Sequence, residues 1–148
     1  MVRELESHEI EALLHEEAIA RIAYVDRFGR PNIVPIAYAY DGRAFYGYSL
    51  LGAKIDAMSN RPDVCVEVDR VDDLANWESV VARGLYETLD GAAAVDAVAR
   101  IADRMRTVAH ADLASRAAGQ TYVERSGGAG IAYRIRITAV HGRWSAGA

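Results

Sequence analysis

Lysine is nearly absent from this chain: Lys54 stands alone among 17 Lys and Arg residues, so every other cationic side chain is an arginine. Cysteine is as scarce. Cys65 has no partner for an intrachain disulfide, and its apolar setting, Val64-Cys65-Val66, points to a buried structural thiol. No run approaches the roughly 20 apolar residues of a membrane span. The N-terminal Met-Val-Arg-Glu-Leu-Glu-Ser also lacks an apolar secretory core, so a cytoplasmic protein is expected. The formal charge of −4 argues against non-specific binding to nucleic acid. There is no Ser/His/Asp arrangement and no carboxylate pair, since Glu67 and Glu78 sit in strand contexts without an obvious partner. His8 and His15 lack further ligands at metal spacing, so solvated histidines and no metal site are expected.

What is present suits one globular domain over residues 1–148, with 51% hydrophobic and 26% charged residues. Ser7 is placed to cap a helix with Ile10, Leu13 and Leu14 on one face. Strands are expected at Ala18–Asp26 and Asn32–Tyr40, the second holding Pro35, which cannot donate a ladder hydrogen bond and marks an edge, a bulge or a break. Asp41-Gly42 is a hairpin signal leading into Arg43–Ser49. A short helix at Lys54–Asn60 precedes strands at Val64–Val68 and Trp77–Leu89. Asp90 is placed to cap a helix from about Gly91 to Val108 on which Val95, Val98, Ile101, Met105 and Val108 follow the helical period. His110–Ala118 reads as one or two further helical turns and Gly119–Gly130 as a loop. Ile131–Val140 is the last strand, ended by His141-Gly142. Hairpins interrupted by one longer helix favour a small closed or split antiparallel β-barrel of six strands with flanking helices over a parallel α/β sheet.

The pattern is organised around Phe45–Asp56, where an aromatic strand runs through Gly52 into the helix that carries Lys54. A compact ammonium beside a helix N-terminus, whose N–H groups and dipole already favour an anion, makes a phosphate-binding corner. A triphosphate loop is the first alternative, because Gly47, Gly52 and Lys54 come close to G-x-x-x-x-G-K-[ST]. The lysine falls one residue late, however, and Ile55 stands where a magnesium-binding hydroxyl is needed. A monophosphate site remains.

Four segments then carry a family likeness: Gly29-Arg30-Pro31 with Ile33-Val34-Pro35-Ile36-Ala37-Tyr38; Phe45-Tyr46 with Tyr48-Ser49, Gly52 and Lys54; Asn60-Arg61-Pro62 with Val64; and Trp77, Ser79, Val80 and Gly84. The ending Arg134, Arg136, Ile137 and Gly142-Arg143-Trp144 fits as well. In this order they resemble the pyridoxamine 5′-phosphate oxidase-like family of FMN-binding split β-barrels, in its short nitroimidazole-resistance-like branch.

The resemblance implies a homodimer with FMN at the subunit interface. The backbone of Val34, Pro35, Ile36 and Ala37 would run along the flavin ring, while Tyr48, Ser49 and Lys54 hold the ribityl phosphate end. Trp77 and Ser79 would lie near the site, contributed by the same chain or its partner. Many members of the branch have histidine in place of Tyr48, and other branches have arginine in place of Gly52. A flavin brings its own redox chemistry, so no general acid, base or nucleophile is needed in the chain. The expected activity is a reductase taking hydride from NAD(P)H to a small acceptor such as a nitroaromatic or quinone. A deazaflavin (coenzyme F-420) reductase is the alternative enzyme, although its acidic tail needs several basic groups and Arg61 is the one near Lys54 in sequence. A non-catalytic flavin- or haem-binding protein, with His110 or His141 as an axial ligand, is the alternative of another class.

Overall fold

The computed structural model describes residues 1–107 and 130–147. Its elements run β1 (Val2–Glu4), α1 (Ser7–Glu16), β2 (Ile19–Val25), β3 (Pro31–Ala37), β4 (Ala39–Tyr40), β5 (Ala44–Leu50), α2 (Ala53–Asn60), β6 (Asp63–Val71), β7 (Trp77–Thr88), α3 (Gly91–Thr107) and β8 (Gly130–Ser145). The readings of 108–118 and 119–129, with His110, lie outside the described residues. All strand pairs are antiparallel in one eight-stranded sheet of order β3-β2-β6-β7-β8-β5-β4, with β1 added to β8. β3 and β4 are opposite ends of this path, yet Tyr38 alone separates them in the chain. The sheet therefore has to curl until its two ends come together. This is the expected split-barrel class.

The strand number is eight rather than six because β1 is too short to show a period and because the expected strand Asn32–Tyr40 divides at Tyr38. Before Tyr38 the chain pairs with β2, and after it with β5. Pro35 lies within β3, an end strand whose ladder is with β2, a position that tolerates a missing donor. β8 also continues past His141-Gly142 to Ser145. Gly142 is there for close approach: an added Cβ would stand 2.8 Å from Leu5 Cδ1 and 3.1 Å from Val80 Cγ2.

Inward residues of the strands, among them Ile22, Val66, Val68, Val80, Phe45 and Ile135, form the main core. α1 closes it with Ile10, Leu13 and Leu14, and α2 with Ile55 and Met58. Ser7 is the first residue of α1 and Glu6 its cap, correcting the expected Ser7 cap; Glu9 Oε2 accepts the Glu6 N–H at 2.8 Å. A second cluster lies beneath α3, where Ala97 and Ile101 are buried and Ala94, Val98 and Met105 pack beside them. Val95, expected on that face, is 71% exposed, because small alanines bring the helix down on its other side. Cys65 is half-buried rather than buried, since in β6 the alternate residues Val64, Val66 and Val68 take the inner face. Among the described residues no helix is long and apolar enough to cross a membrane.

Candidate functional site

The first turn of α2 is built differently from that of α1. Gly52 is its N-cap, with no side-chain cap, and the first intrahelical bond runs from the Asp56 N–H to the Gly52 carbonyl at 3.1 Å. The amides of Ala53, Lys54 and Ile55 thus have no partner within the helix. Lys54 is half-buried beside them and makes no hydrogen bond or ion pair with a described residue. Burial alone lowers its pKa. A half-buried lysine with no counter-charge among the described residues, in the first turn of a helix whose first three amides have no helical partner, makes a donor set that suits a phosphate.

A groove of about 640 Å³ begins at this helix start and runs along α2. Gly52, Ala53, Asp56, Ala57, Asn60 and Arg61 line one side, and the β2–β3 turn, Val25 to Phe28, lines the other. Asp26 builds that turn, its Oδ1 accepting the Phe28 N–H at 2.9 Å and the Arg30 N–H at 3.0 Å. The amide of Arg30 is the main cause holding the Asp26 carboxylate below its usual range. Arg27 and Phe28 escaped the sequence reading, where residues 26–29 signal only a turn. Nothing in their spacing ties them to α2, twenty-odd positions later.

The expected site residues fall into four groups. Lys54 and Ser49 belong to the end of the barrel that α2 seals; the Ser49 hydroxyl donates to the Leu50 carbonyl at 3.3 Å. Tyr48, on the same strand, turns to the opposite face, packs on the cluster beneath α3 and accepts the Gly130 N–H at 3.1 Å. Val34, Pro35, Ile36 and Ala37 lie on β3, where Val34 and Ile36 face the core and Pro35 and Ala37 are exposed. Trp77 and Ser79 stand at the start of β7. Thr88, at the other end of that strand, pairs with Tyr133, near the Ser49 end of β5. From Ser79 to Thr88 the strand rises ~30 Å, so a single chain does not bring Ser79 and Lys54 together. Glu67 and Glu78 do have partners: Glu67 accepts from Ser79 at 3.0 Å and lies 3.5 Å from Arg21, and Glu78 lies 3.5 Å from Arg70. Among the described residues no group of three or more His, Cys, Asp or Glu is placed to hold a metal ion.

Known proteins share this fold. The family described as pyridoxamine 5′-phosphate oxidase matches residues 6–144. An uncharacterized protein of Rhizobium meliloti (strain 1021) is 35% identical over 88 residues, covering 60% of this chain and 58% of that protein. A FAD-binding protein from Mesorhizobium loti superposes with a TM-score of 0.74 at 27% identity, covering 99% of both chains. A provisionally assigned 5-nitroimidazole antibiotic resistance protein from Bacteroides thetaiotaomicron shares the fold, with a TM-score of 0.73 at 17% identity over 97% of this chain and 87% of that one.

Proposed function

We propose, from the premise that this chain belongs to the pyridoxamine 5′-phosphate oxidase family, that it binds a phosphorylated flavin, FMN being the smallest, and passes electrons from NAD(P)H to a small acceptor. The observation that carries the reading is Lys54: a half-buried ammonium, without a described counter-charge, at an uncapped helix start. Such a group is held ready for an anion that the described residues do not supply. The FAD-binding Mesorhizobium loti protein, similar over nearly the whole chain, supports a flavin as that anion's carrier.

Within this reading the first-turn amides of α2, Lys54 and Ser49 hold the ribityl phosphate, and Tyr48 supports the strand from its other face. The backbone of Val34, Pro35, Ile36 and Ala37, on the side of β3 away from β2, borders the ring. When bound, a flavin supplies hydride and single-electron transfer. The chain's own part is to fix the phosphate, orient the ring and leave one face open to a nitroaromatic or quinone. Trp77 and Ser79 reach the site from a second copy, which makes the functional unit a homodimer acting in the cytoplasm.

The absorbance spectrum of the purified protein is the test. A band at about 450 nm that NADH or NADPH bleaches without air, and that an acceptor restores, is expected of a flavin reductase. A band at about 420 nm would replace the flavin with a deazaflavin, and a Soret band would replace it with haem. Flavin that stays oxidised with both donors would leave a carrier in place of an enzyme. A 16.1 kDa species in sedimentation with cofactor bound would overturn the dimer.

A further inference from the structure

Another cleft, of about 260 Å³, lies between the end of α1, β4 and α3 and shares no residue with the groove along α2. Beside the apolar face that α3 buries with Ala97 and Ile101, its Arg100, Asp103, Arg104 and Thr107 form a polar stripe at helical spacing. This stripe is one wall. Leu14 and His15 of α1 and Ala39 and Tyr40 of β4 make the others.

One carboxylate holds both rings of the cleft. The Tyr40 hydroxyl donates to Glu11 Oε1 at 2.6 Å, His15 Nε2 lies 3.5 Å from Glu11 Oε2, and the two ring centres are 4.8 Å apart. Charge on the α3 wall is mostly spoken for: Arg100 donates to Asp96 at 2.8 Å, and Asp103 lies 3.4 Å from Arg106. Arg104 differs. It is half-buried and forms no ion pair with a described residue, and its Nη2 donates to the carbonyl of Glu17, the C-cap of α1, at 3.0 Å. That bond anchors the guanidinium but uses one of its five N–H donors. Capping α1 therefore leaves most of the fork of this cleft-lining residue without a carboxylate to bind.

We propose that this cleft binds a small organic carboxylate, its acid group paired with Arg104 and its apolar body against Leu14, Ala39 and the Tyr40 ring. A planar guanidinium matches a carboxylate through two parallel hydrogen bonds, and Arg100, one turn away, adds a second cation. Inorganic phosphate fits less well, because Asp103 opposes its additional negative charge and Leu14 and Ala39 offer it nothing. Sites for drug-sized ligands run to about 300–1,000 Å³, so a cleft of about 260 Å³ takes a smaller acid. Its walls come from three elements, so a bound acid ties both helices to β4. The inference does not depend on a flavin at the start of α2.

The test is titration of benzoate, of its neutral isostere benzamide and of inorganic phosphate into the full-length protein, read by calorimetry and by the imidazole NMR signals. His15→Gln and His8→Gln assign the signals of those two histidines. Benzoate is expected to saturate one site per chain with a Kd of about 1 mM or below and to shift the His15 signal but not that of His8. Benzamide should bind at least about tenfold more weakly, and Arg104→Met should weaken benzoate about ten- to a hundredfold. Because Arg104→Met also removes the bond to Glu17, a melting curve checks its fold; Arg104→Lys, which keeps a charge and a donor, should lose less. Benzoate binding equally to wild type and Arg104→Met, or leaving His15 unmoved, would overturn the site. Phosphate binding more tightly than benzoate would overturn the organic acid as its ligand. FMN affinity should be the same in wild type and Arg104→Met, and a parallel loss would make the cleft part of the flavin site and overturn its independence.

Discussion

The hydroxyl of Tyr38 donates to the carbonyl of Leu14 at 2.8 Å, and both residues are buried. Leu14 is in the last turn of α1, where carbonyls have no partner within the helix. Tyr38 is also the one residue between the two end strands of the sheet. One bond thus satisfies a helix end and fixes the corner at which the barrel closes. Tyr38→Phe keeps the ring and strands that carbonyl, so a loss of about 1–3 kcal/mol is expected. Urea unfolding reads it as a lower midpoint with an unchanged slope; an unmoved midpoint would mean that the corner is held by packing alone.

Acid should loosen the start of α1. Glu9 is lowered from 4.5 to about 2, first by its hydrogen bond from Arg3 and then by the Glu6 amide. A carboxylate depressed in the folded state contributes stability that is complete above about 4.5 and lost as pH falls toward about 2. The melting temperature of wild type should therefore exceed that of Glu9→Gln at pH 6. That gap should shrink between about pH 4.5 and pH 2, and a gap constant with pH would assign the effect to something other than Glu9 ionisation.

Gly84 lies where the β7–β8 register shifts, and an added Cβ would stand 2.6 Å from Ile135 Cγ2 and 2.7 Å from the Arg136 carbonyl oxygen. A backbone atom cannot swing aside. Gly84→Ala is expected to cost about 1–3 kcal/mol, measured by chemical denaturation, whereas Gly52→Ala, with no atom within 4 Å of the added methyl, should cost less, only what alanine loses against glycine at a helix N-cap.

Lys54→Met keeps the length of the side chain and removes its charge. A charge-assisted hydrogen bond contributes about 1.5–3 kcal/mol, so FMN affinity should fall roughly ten- to a hundredfold while riboflavin, lacking the phosphate, is unaffected. Lys54→Arg should recover part of the loss, because a planar fork occupies different space from a compact ammonium. Equal FMN affinity in wild type and Lys54→Met would remove the phosphate site.

Local signals carried most of the fold. Asp41-Gly42 does form the β4–β5 turn, with Asp41 Oδ1 accepting the Arg43 and Ala44 N–H groups at 2.8 and 2.9 Å. Ile55 and Met58 face inward as their spacing predicts. What escaped is what long-range contact decides. The split at Tyr38 follows from curling of the whole sheet, and the run of β8 past Gly142 depends on Leu5 and Val80, far away in sequence. The same holds at the site. Lys54 was legible because it is the single lysine, but the groove beside it takes its second wall from Arg27 and Phe28, which no local pattern connects to α2.

β8 pairs with β1, β5 and β7, strands made at the start, in the first half and near the middle of synthesis. A ribosome extends the chain in one direction, so each of these three waits with an open edge until residues 130–145 appear. Folding is thus held back to a late stage of translation, and the waiting edges are what a chaperone would have to shield. The same wiring ties Val2 to Ser145 across nearly the whole chain, a high contact order that predicts slow folding for so small a barrel.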